Sequence, residues 1–225
     1  MTSYFRYGII IALPLALAIA TYGVSYGVLA IGAGMSYFEA ILMSILVFSG
    51  SVQLVAVAMI ASGASFINLV IATSLLNLRN LLYGAALSDG FHQLKRSTRF
   101  LYAFGINDES FVLSTSKFKE IGPAPRFFLG AAITFYVSWL LSSIVGASLG
   151  NVIDPVAYGL DLAFPVTFAA LLVQSITNYP AFATMGLAAL LTICLEALSP
   201  TNQFTIIIVG IVAPFLGLFL SKKGR

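Results

Sequence analysis

The sequence predicts an all-α, polytopic integral membrane protein with about seven transmembrane helices, some of them interrupted, and three observations predict it. Hydrophobic residues make up 60% of the 225-residue chain and charged residues only 8%, whereas soluble domains average about 45–50% and 25%. The mean hydropathy is +1.00. A membrane span needs roughly 20 apolar residues. Apolar runs of about this length fill most of the chain. We therefore expect a single transmembrane transporter domain over residues 1–225.

Seven apolar runs mark the predicted spans. They lie near residues 8–31, 37–61, 66–87, 126–150, 159–177, 180–198 and 204–220. The stretch 100–116 is short for a span and carries two adjacent acids. We expect it to stay on one side of the membrane or to dip in as a re-entrant segment.

The cations predict the orientation of the chain. If 100–116 does not cross, nine cations share one side against Arg6 on the other: Lys95, Arg96, Arg99, Lys117, Lys119, Arg126, Lys222, Lys223 and Arg225. Positive residues favour the cytoplasm. We therefore expect an outside N-terminus, with the 88–125 region and the C-terminus in the cytoplasm.

Small and polar residues in two parts of the chain echo each other. Gly23 and Gly27 form a GxxxG pair in the first span, and Gly146 and Gly150 form another in the fourth. At nearly the same separation, residues 49–53 correspond to the polar stretch 174–178. One interpretation is that the small residues allow close helix packing, as they do in many membrane proteins. A duplicated unit is the other interpretation, and it would be inverted if three spans separate the copies.

A buried arginine is the costliest feature of the sequence. Arg79 lies in Asn77-Leu78-Arg79-Asn80, about 4 Å from the centre of the third predicted span at 1.5 Å per residue. A central arginine costs about 2.5–3.5 kcal/mol on insertion scales. It must therefore face a water-filled cavity or an acid. It either pins helices together through an ion pair or receives an anionic group of a ligand.

Two other polar stretches accompany this arginine. Ser49, Gly50, Ser51 and Gln53 interrupt the second predicted span. They either hydrogen-bond between helices or mark an unwound segment that faces a cavity, because non-helical backbone is tolerated at membrane depth only there or inside protein. The candidate substrate-binding residues are therefore Arg79, Asn77, Gln53, Ser49 and Ser51.

Asn107-Asp108-Glu109 contains the only pair of adjacent acids. A solvated loop would account for them. If the segment dips into the membrane, Asp108 or Glu109 is a candidate to pair with Arg79, to bind an ammonium group or to carry a coupling proton.

Several functional classes are disfavoured by composition. The single Cys194 excludes an intramolecular disulfide, and the single His92 argues against a histidine-based metal site. The chain has no Gly-rich GxxxxGK[ST] loop for nucleotide phosphates. A net charge of +3 with so few cations is no nucleic-acid signature. We expect no cofactor and no nucleic-acid partner.

Four motifs together resemble the AzlC family, the large subunits of branched-chain amino-acid exporters. The stretches that carry the resemblance are SGSVQL at 49–54, NLRNLLY at 77–83, NDE at 107–109 and GLDLAFPVTF at 159–168, which includes Asp161. Their order and spacing fit from about residue 8 to 220. Two positions depart from the family pattern: Asn80 stands where His is usual, and Asn107 where Thr is usual.

The resemblance implies export of valine-like amino acids across the cytoplasmic membrane, driven by the proton gradient, together with a small AzlD-like membrane subunit. If the usual His helps proton movement in relatives, Asn80 changes the coupling here. Two alternatives remain. A membrane-embedded enzyme would need a nucleophile with a base or clustered metal ligands, and this sequence offers few such groups. A structural membrane subunit would have to explain the buried Arg79.

Overall fold

The computed structural model describes residues 3–154, 157–159, 162, 173, 176, 178–199 and 205–223. These residues contain helices and no strands, so the all-α, polytopic class is confirmed. The helices are α1 (Ser3–Gly32), α2 (Tyr37–Leu46), α3 (Gly50–Ala61), α4 (Phe66–Asn77), α5 (Arg79–Phe91), α6 (Arg96–Phe104), α7 (Asp108–Ile121), α8 (Pro125–Leu149), α9 (Tyr179–Leu198) and α10 (Thr205–Lys223).

Four stretches of the described chain are long and apolar enough to cross a membrane. They are Tyr4–Gly32, Phe66–Phe91, Pro125–Leu149 and Tyr179–Leu198. Shorter apolar helices are Tyr37–Leu46, Gly50–Ala61 and Ile208–Phe219. The predicted span 159–177, including Asp161, and most of the polar stretch 174–178 lie outside the described residues.

The chain divides into two compact units. Unit 1 comprises the described residues of Met1–Ala64 and Leu76–Phe164, and unit 2 those of Ser65–Leu75 and Pro165–Arg225. In unit 2, Asn178 caps the start of α9: its Oδ1 accepts a 2.9 Å hydrogen bond from the backbone N–H of Ala181. Helices α9 and α10 pack closely where Gly217 lies against Thr184.

Helices α1 and α8 form the frame of unit 1. A Cβ on Gly27 would collide with the backbone of Ser143 and Ala147, so both GxxxG pairs serve close packing. Near the other end of α1, Gly8 lies against the backbone of Phe127. Residue numbers therefore rise in the same direction along both helices, and α1 and α8 are parallel. Two copies in inverted orientation would make these two helices antiparallel. Since α1 and α8 are parallel, they are not related as the first helices of an inverted repeat.

Helices α2 and α3 form a hairpin. The backbone is extended at Val47 (φ −115°, ψ 91°) and Ser49 (φ −151°, ψ 97°), so the predicted interruption of this stretch is confirmed. Gln53 Nε2 donates a 3.1 Å hydrogen bond to Ser44 Oγ, nine residues earlier. A continuous helix would separate these residues by about 13 Å. The chain therefore turns back, and the expectation that 37–61 makes a single span is wrong.

Helices α6 and α7 form a second hairpin, with its turn at residues 105–107. The rings of Tyr102 on α6 and Phe118 on α7 both pack against Phe91, at 5.5 and 6.3 Å between centroids. Neither helix is among the candidate spans. The stretch 100–116 therefore enters unit 1 and returns to the end from which it started, as the re-entrant expectation required.

The third predicted span is continuous in the structure. Leu78, between α4 and α5, keeps helical angles (φ −56°, ψ −29°). Arg79 lies at the middle of the apolar stretch Phe66–Phe91. This position agrees with the central position of Arg79 in the third predicted span; its depth in a membrane stays a prediction.

The N-terminus lies at the same end of unit 1 as the 88–125 region. Tyr7 packs on Phe127 (5.5 Å between ring centroids), and Phe91 packs on the adjacent Phe128 (5.0 Å). The expectation that the N-terminus and the 88–125 region lie on opposite sides is therefore wrong, because α2 and α3 do not make the crossing it needed. Arg6 joins the cations of the 88–125 region at this end.

Candidate functional site

Arg79 is the centre of a polar site that joins three helices of unit 1. Its Nη2 lies 2.7 Å from Asp108 Oδ2 on α7 and also donates to Ser51 Oγ on α3. The side chains of Arg79 and Asp108 keep 27% and 23% of their surface exposed. The structure thus brings together three of the residues that the sequence singled out, and a ligand can still reach them.

The guanidinium retains unused binding capacity. Arg79 Nε is buried and has no hydrogen-bond partner among the described residues. Nε and Nη2 form the edge of a guanidinium that grips both oxygens of a carboxylate. Asp108 engages this edge only through Nη2. A buried donor without a partner is costly and rare in folded proteins, so Nε is able to take an acceptor from a ligand.

Tyr83 holds Asp108 from the other side. Its hydroxyl donates a 2.8 Å hydrogen bond to Asp108 Oδ1, and its ring stacks on Phe111 of α7 at 4.2 Å with 12° between the planes. The sequence analysis did not select Tyr83. The available signal was its position one helical turn after Arg79, which places both side chains on one face of α5.

Glu109 has different surroundings from its neighbour Asp108. The Tyr22 hydroxyl of α1 donates a 3.4 Å hydrogen bond to Glu109 Oε1, and the Tyr22 ring packs on Trp139 at 5.0 Å. No salt bridge to Glu109 is present in the described parts of the chain. The two adjacent carboxyls are therefore unequal, since only Asp108 is neutralised by a cation. Sequence analysis missed Tyr22, which lies in a largely apolar span.

Two helices begin at this site. Asp108 and Glu109 occupy the first turn of α7, where the helix dipole favours negative charge. Helix α3 begins at Gly50, and the preceding Ser49 makes no side-chain hydrogen bond to its first turn. A side chain at Gly50 would collide with Tyr22. The start of α3 is thus a positive helix end without a side-chain cap, close to Arg79 through Ser51.

The structure places two further candidate residues away from the guanidinium. Gln53 is fully buried; its Oε1 accepts a 2.8 Å hydrogen bond from Trp139 Nε1 while its Nε2 donates to Ser44. Asn77 Oδ1 accepts a 3.0 Å hydrogen bond from Asn80 Nδ2, one turn along the helix. Gln53 therefore fixes the α2–α3 hairpin against α8, and Asn80 is occupied with Asn77.

Several curated membrane proteins are similar to this chain. An uncharacterized membrane protein of Helicobacter pylori (strain ATCC 700392 / 26695) is 25% identical over 89% of this chain and 87% of its own length. The inner membrane protein YgaZ of Escherichia coli (strain K12) is 28% identical over 71% of this chain, which spans 64% of YgaZ. The branched-chain amino acid transport protein AzlC of Bacillus subtilis (strain 168) is 24% identical over 74% of this chain and 67% of its own length. No solved structure matches the chain.

The family comparison covers the site just described. The family model of the AzlC protein matches residues 14–153, which include Tyr22, Ser51, Arg79, Tyr83 and Asp108. The match extends over more than half of the chain and contains three of the four motifs on which the resemblance rests. The chain therefore belongs to the AzlC family.

Proposed function

We propose that this protein is a secondary transporter subunit that exports branched-chain, valine-like amino acids across the cytoplasmic membrane, coupled to the proton gradient. The observation that carries the proposal is the partly open ion pair of Arg79 and Asp108, placed midway along an apolar span. AzlC proteins are transport-associated membrane proteins and not enzymes, which removes the membrane-embedded enzyme alternative. The name of the Bacillus relative supports the substrate class.

In this proposal the substrate carboxylate binds Arg79. The free Nε and the start of α3 at Gly50 both offer donors to an anion. Ser51 and Ser49 lie at the same helix start and add hydroxyl groups to the lining. Asn77, which bonds to Asn80 and not to the guanidinium, and Gln53, which fixes the hairpin that carries the serines, are assigned supporting roles.

The substrate ammonium and the coupling proton go to the two acids. Asp108 already faces a cation and is the natural partner of an ammonium group. Glu109 has only the Tyr22 hydroxyl as its hydrogen-bonding side-chain partner in the described structure and lies beside a charged carboxylate. Such surroundings favour uptake of a proton, because burial and a like charge both disfavour the ionised form of a carboxyl. Glu109 is therefore our candidate for the proton carrier.

The proposal includes an orientation and a partner. Seven cations lie at the end of unit 1 that holds the N-terminus, namely Arg6, Lys95, Arg96, Arg99, Lys117, Lys119 and Arg126. By the preference of positive residues for the cytoplasm, this end is cytoplasmic. The C-terminus, with Lys222 and Lys223, is proposed to share that side. A small AzlD-like membrane subunit is the proposed partner, in keeping with the family resemblance.

A flux screen tests the function. The protein, alone and with a co-expressed AzlD-like subunit, is reconstituted into proteoliposomes, and the movement of each amino acid is measured with and without a proton gradient. We expect gradient-dependent movement of valine, leucine, isoleucine or methionine. Movement of a different solute class without these four would show that the proposed substrate class is wrong. Absence of flux in both preparations would favour a structural membrane subunit.

A further inference from the structure

We propose that the Arg79–Asp108 ion pair acts as the selectivity element of the site: a substrate binds by inserting its own carboxylate and ammonium between the two side chains. The inference rests on the proposed function and specifies which molecules the site accepts. A zwitterion with both charges on one carbon replaces the ion pair without changing the net charge of the site. A ligand with one charge cannot.

The geometry of Arg79 supports this exchange. A carboxylate that binds with both oxygens at the edge containing the free Nε uses Nε and Nη2 together. Nε is buried and unpartnered, but Nη2 is held by Asp108 Oδ2 at 2.7 Å. Nη2 also donates to Ser51 Oγ, so Asp108 and Ser51 together engage the nitrogen that a substrate carboxylate would need beside Nε. A substrate carboxylate that binds at this edge therefore displaces Asp108 Oδ2 from Nη2.

Asp108 remains in position when that contact opens. Its second oxygen accepts the 2.8 Å hydrogen bond from Tyr83, and the Tyr83 ring is stacked on Phe111 of the same helix as Asp108. The first turn of α7 also favours the negative charge. Oδ2 therefore becomes available to an ammonium group while Oδ1 stays bound. Tyr83 is the positioning residue of this arrangement.

Charge pairing then sets the specificity. The α-keto acid of valine would satisfy Arg79 and leave Asp108 as a partly buried anion without its cation. Isobutylamine, which lacks the carboxylate of valine, would satisfy Asp108 and leave Arg79 unpaired. Stranding a buried charge is strongly unfavourable. The site therefore rejects both analogues even though their side chains match that of valine.

The test measures ligand binding without turnover, as the ligand-induced rise in thermal stability of the detergent-purified protein. The ligands are L-valine, its α-keto acid and isobutylamine. For the wild type we expect valine to bind at least about tenfold more tightly than either analogue. About tenfold is the smallest difference in affinity that we expect when a ligand leaves one of the two charged side chains without a partner. In Asp108→Asn the keto acid no longer strands a charge, and its affinity relative to valine should rise by about tenfold or more. Glu120→Gln, an acid-to-amide change at the exposed end of the same helix, is the matched control and should keep the wild-type ratio.

A second variant covers the case in which Asp108→Asn does not fold. Tyr83→Phe removes one hydroxyl that fixes Asp108, and we expect valine affinity to fall several-fold with no gain for the keto acid. Unchanged valine affinity in Tyr83→Phe would contradict the inference, as would an unchanged ligand ratio in Asp108→Asn. If the wild type binds valine and the keto acid equally, the selectivity inference fails and the transport proposal stands. If it does not bind valine, the proposal that it transports valine-like amino acids itself fails.

Discussion

The ring of Phe48 lies 6.1 Å from the ring of Phe104, so the turns of two helical hairpins meet inside unit 1. The α2–α3 hairpin follows the C-terminal end of α1, and the α6–α7 hairpin starts at the end where α1 begins. Both rings also pack on Tyr136 of α8, at 5.2 and 5.7 Å. The start of α3 and the start of α7 are thereby brought to Arg79 from opposite ends. This meeting point is where the proposed substrate site lies.

Arg79→Lys distinguishes substrate binding from a static ion pair. Lysine keeps the charge beside Asp108 but cannot grip two carboxylate oxygens. We expect normal expression and membrane insertion, with valine flux reduced by about tenfold or more, which corresponds to about 1.4 kcal/mol of lost binding in the transition state. The measurements are expression level, thermal stability and valine flux.

The double variant Arg79→Gln with Asp108→Asn is the control for that prediction. A static pair would regain both stability and flux when both charges are removed, because neither charge is then stranded. For a substrate-binding arginine the double variant stays inactive. Normal flux in the single variant Arg79→Gln would end the binding hypothesis.

Glu109→Gln should uncouple transport from the proton gradient. The amide can still accept the Tyr22 hydrogen bond but cannot bind or release a proton. We expect valine exchange between equal proton concentrations to continue, while a proton gradient no longer drives net movement. Both are measured in the same proteoliposomes. Retention of gradient-driven movement would assign the proton to another group.

Cysteine labelling tests the orientation of the chain. In a Cys194→Ser background, single cysteines at Ser3, Ser97 and Ser221 should resist an impermeant thiol reagent applied to intact cells. Ser62 follows α3 at the opposite end of unit 1 and is exposed, so a cysteine there should react. Labelling at Ser3 but not at Ser97 would show that α2–α3 crosses after all.

Trp139→Phe should destabilise the α2–α3 hairpin. The change removes the donor to Gln53 Oε1 and leaves a fully buried amide oxygen without a partner. An unsatisfied buried group costs about 1–3 kcal/mol. Thermal unfolding in detergent should show a lower midpoint. Thr192→Val, which removes an exposed hydroxyl bonded within α9, should leave the midpoint nearly unchanged.

Gly27→Val should disrupt the frame of unit 1. A Cβ at this position meets the backbone of Ser143 and Ala147, which cannot move aside as a side chain could. Overpacking of this kind costs about 1–3 kcal/mol. Gly32 lies on the same helix with no neighbour within 4 Å, so Gly32→Val is the matched control. Equal thermal stability of the two variants would contradict the close approach of α1 and α8.

The sequence predicted the chemistry of the site better than its topology. Arg79 was conspicuous because a charge in an apolar span needs a partner, and the acids at 108–109 were the nearest adjacent pair in the sequence. Hydropathy could not show that α2–α3 is a hairpin, because two short apolar helices and one interrupted span have the same mean hydropathy. The hydrogen bond between Ser44 and Gln53, which reveals the turn, depends on tertiary packing. Tyr22 and Tyr83 were missed because a tyrosine in a membrane span is compatible with simple packing.

The packing of α1 on α8 is reciprocal: Gly8 lies against the backbone of Phe127, and Gly130 lies against the backbone of Phe5. Such a contact has the character of an isologous interface, in which each partner offers the other the same surface. The two helices cannot slide along one another without losing both of these glycine–backbone contacts at once. In the proposed transporter, this pair of helices would therefore stay fixed, and the displacements that open the site to either side of the membrane would fall to the two hairpins whose turns lie at Phe48 and Phe104.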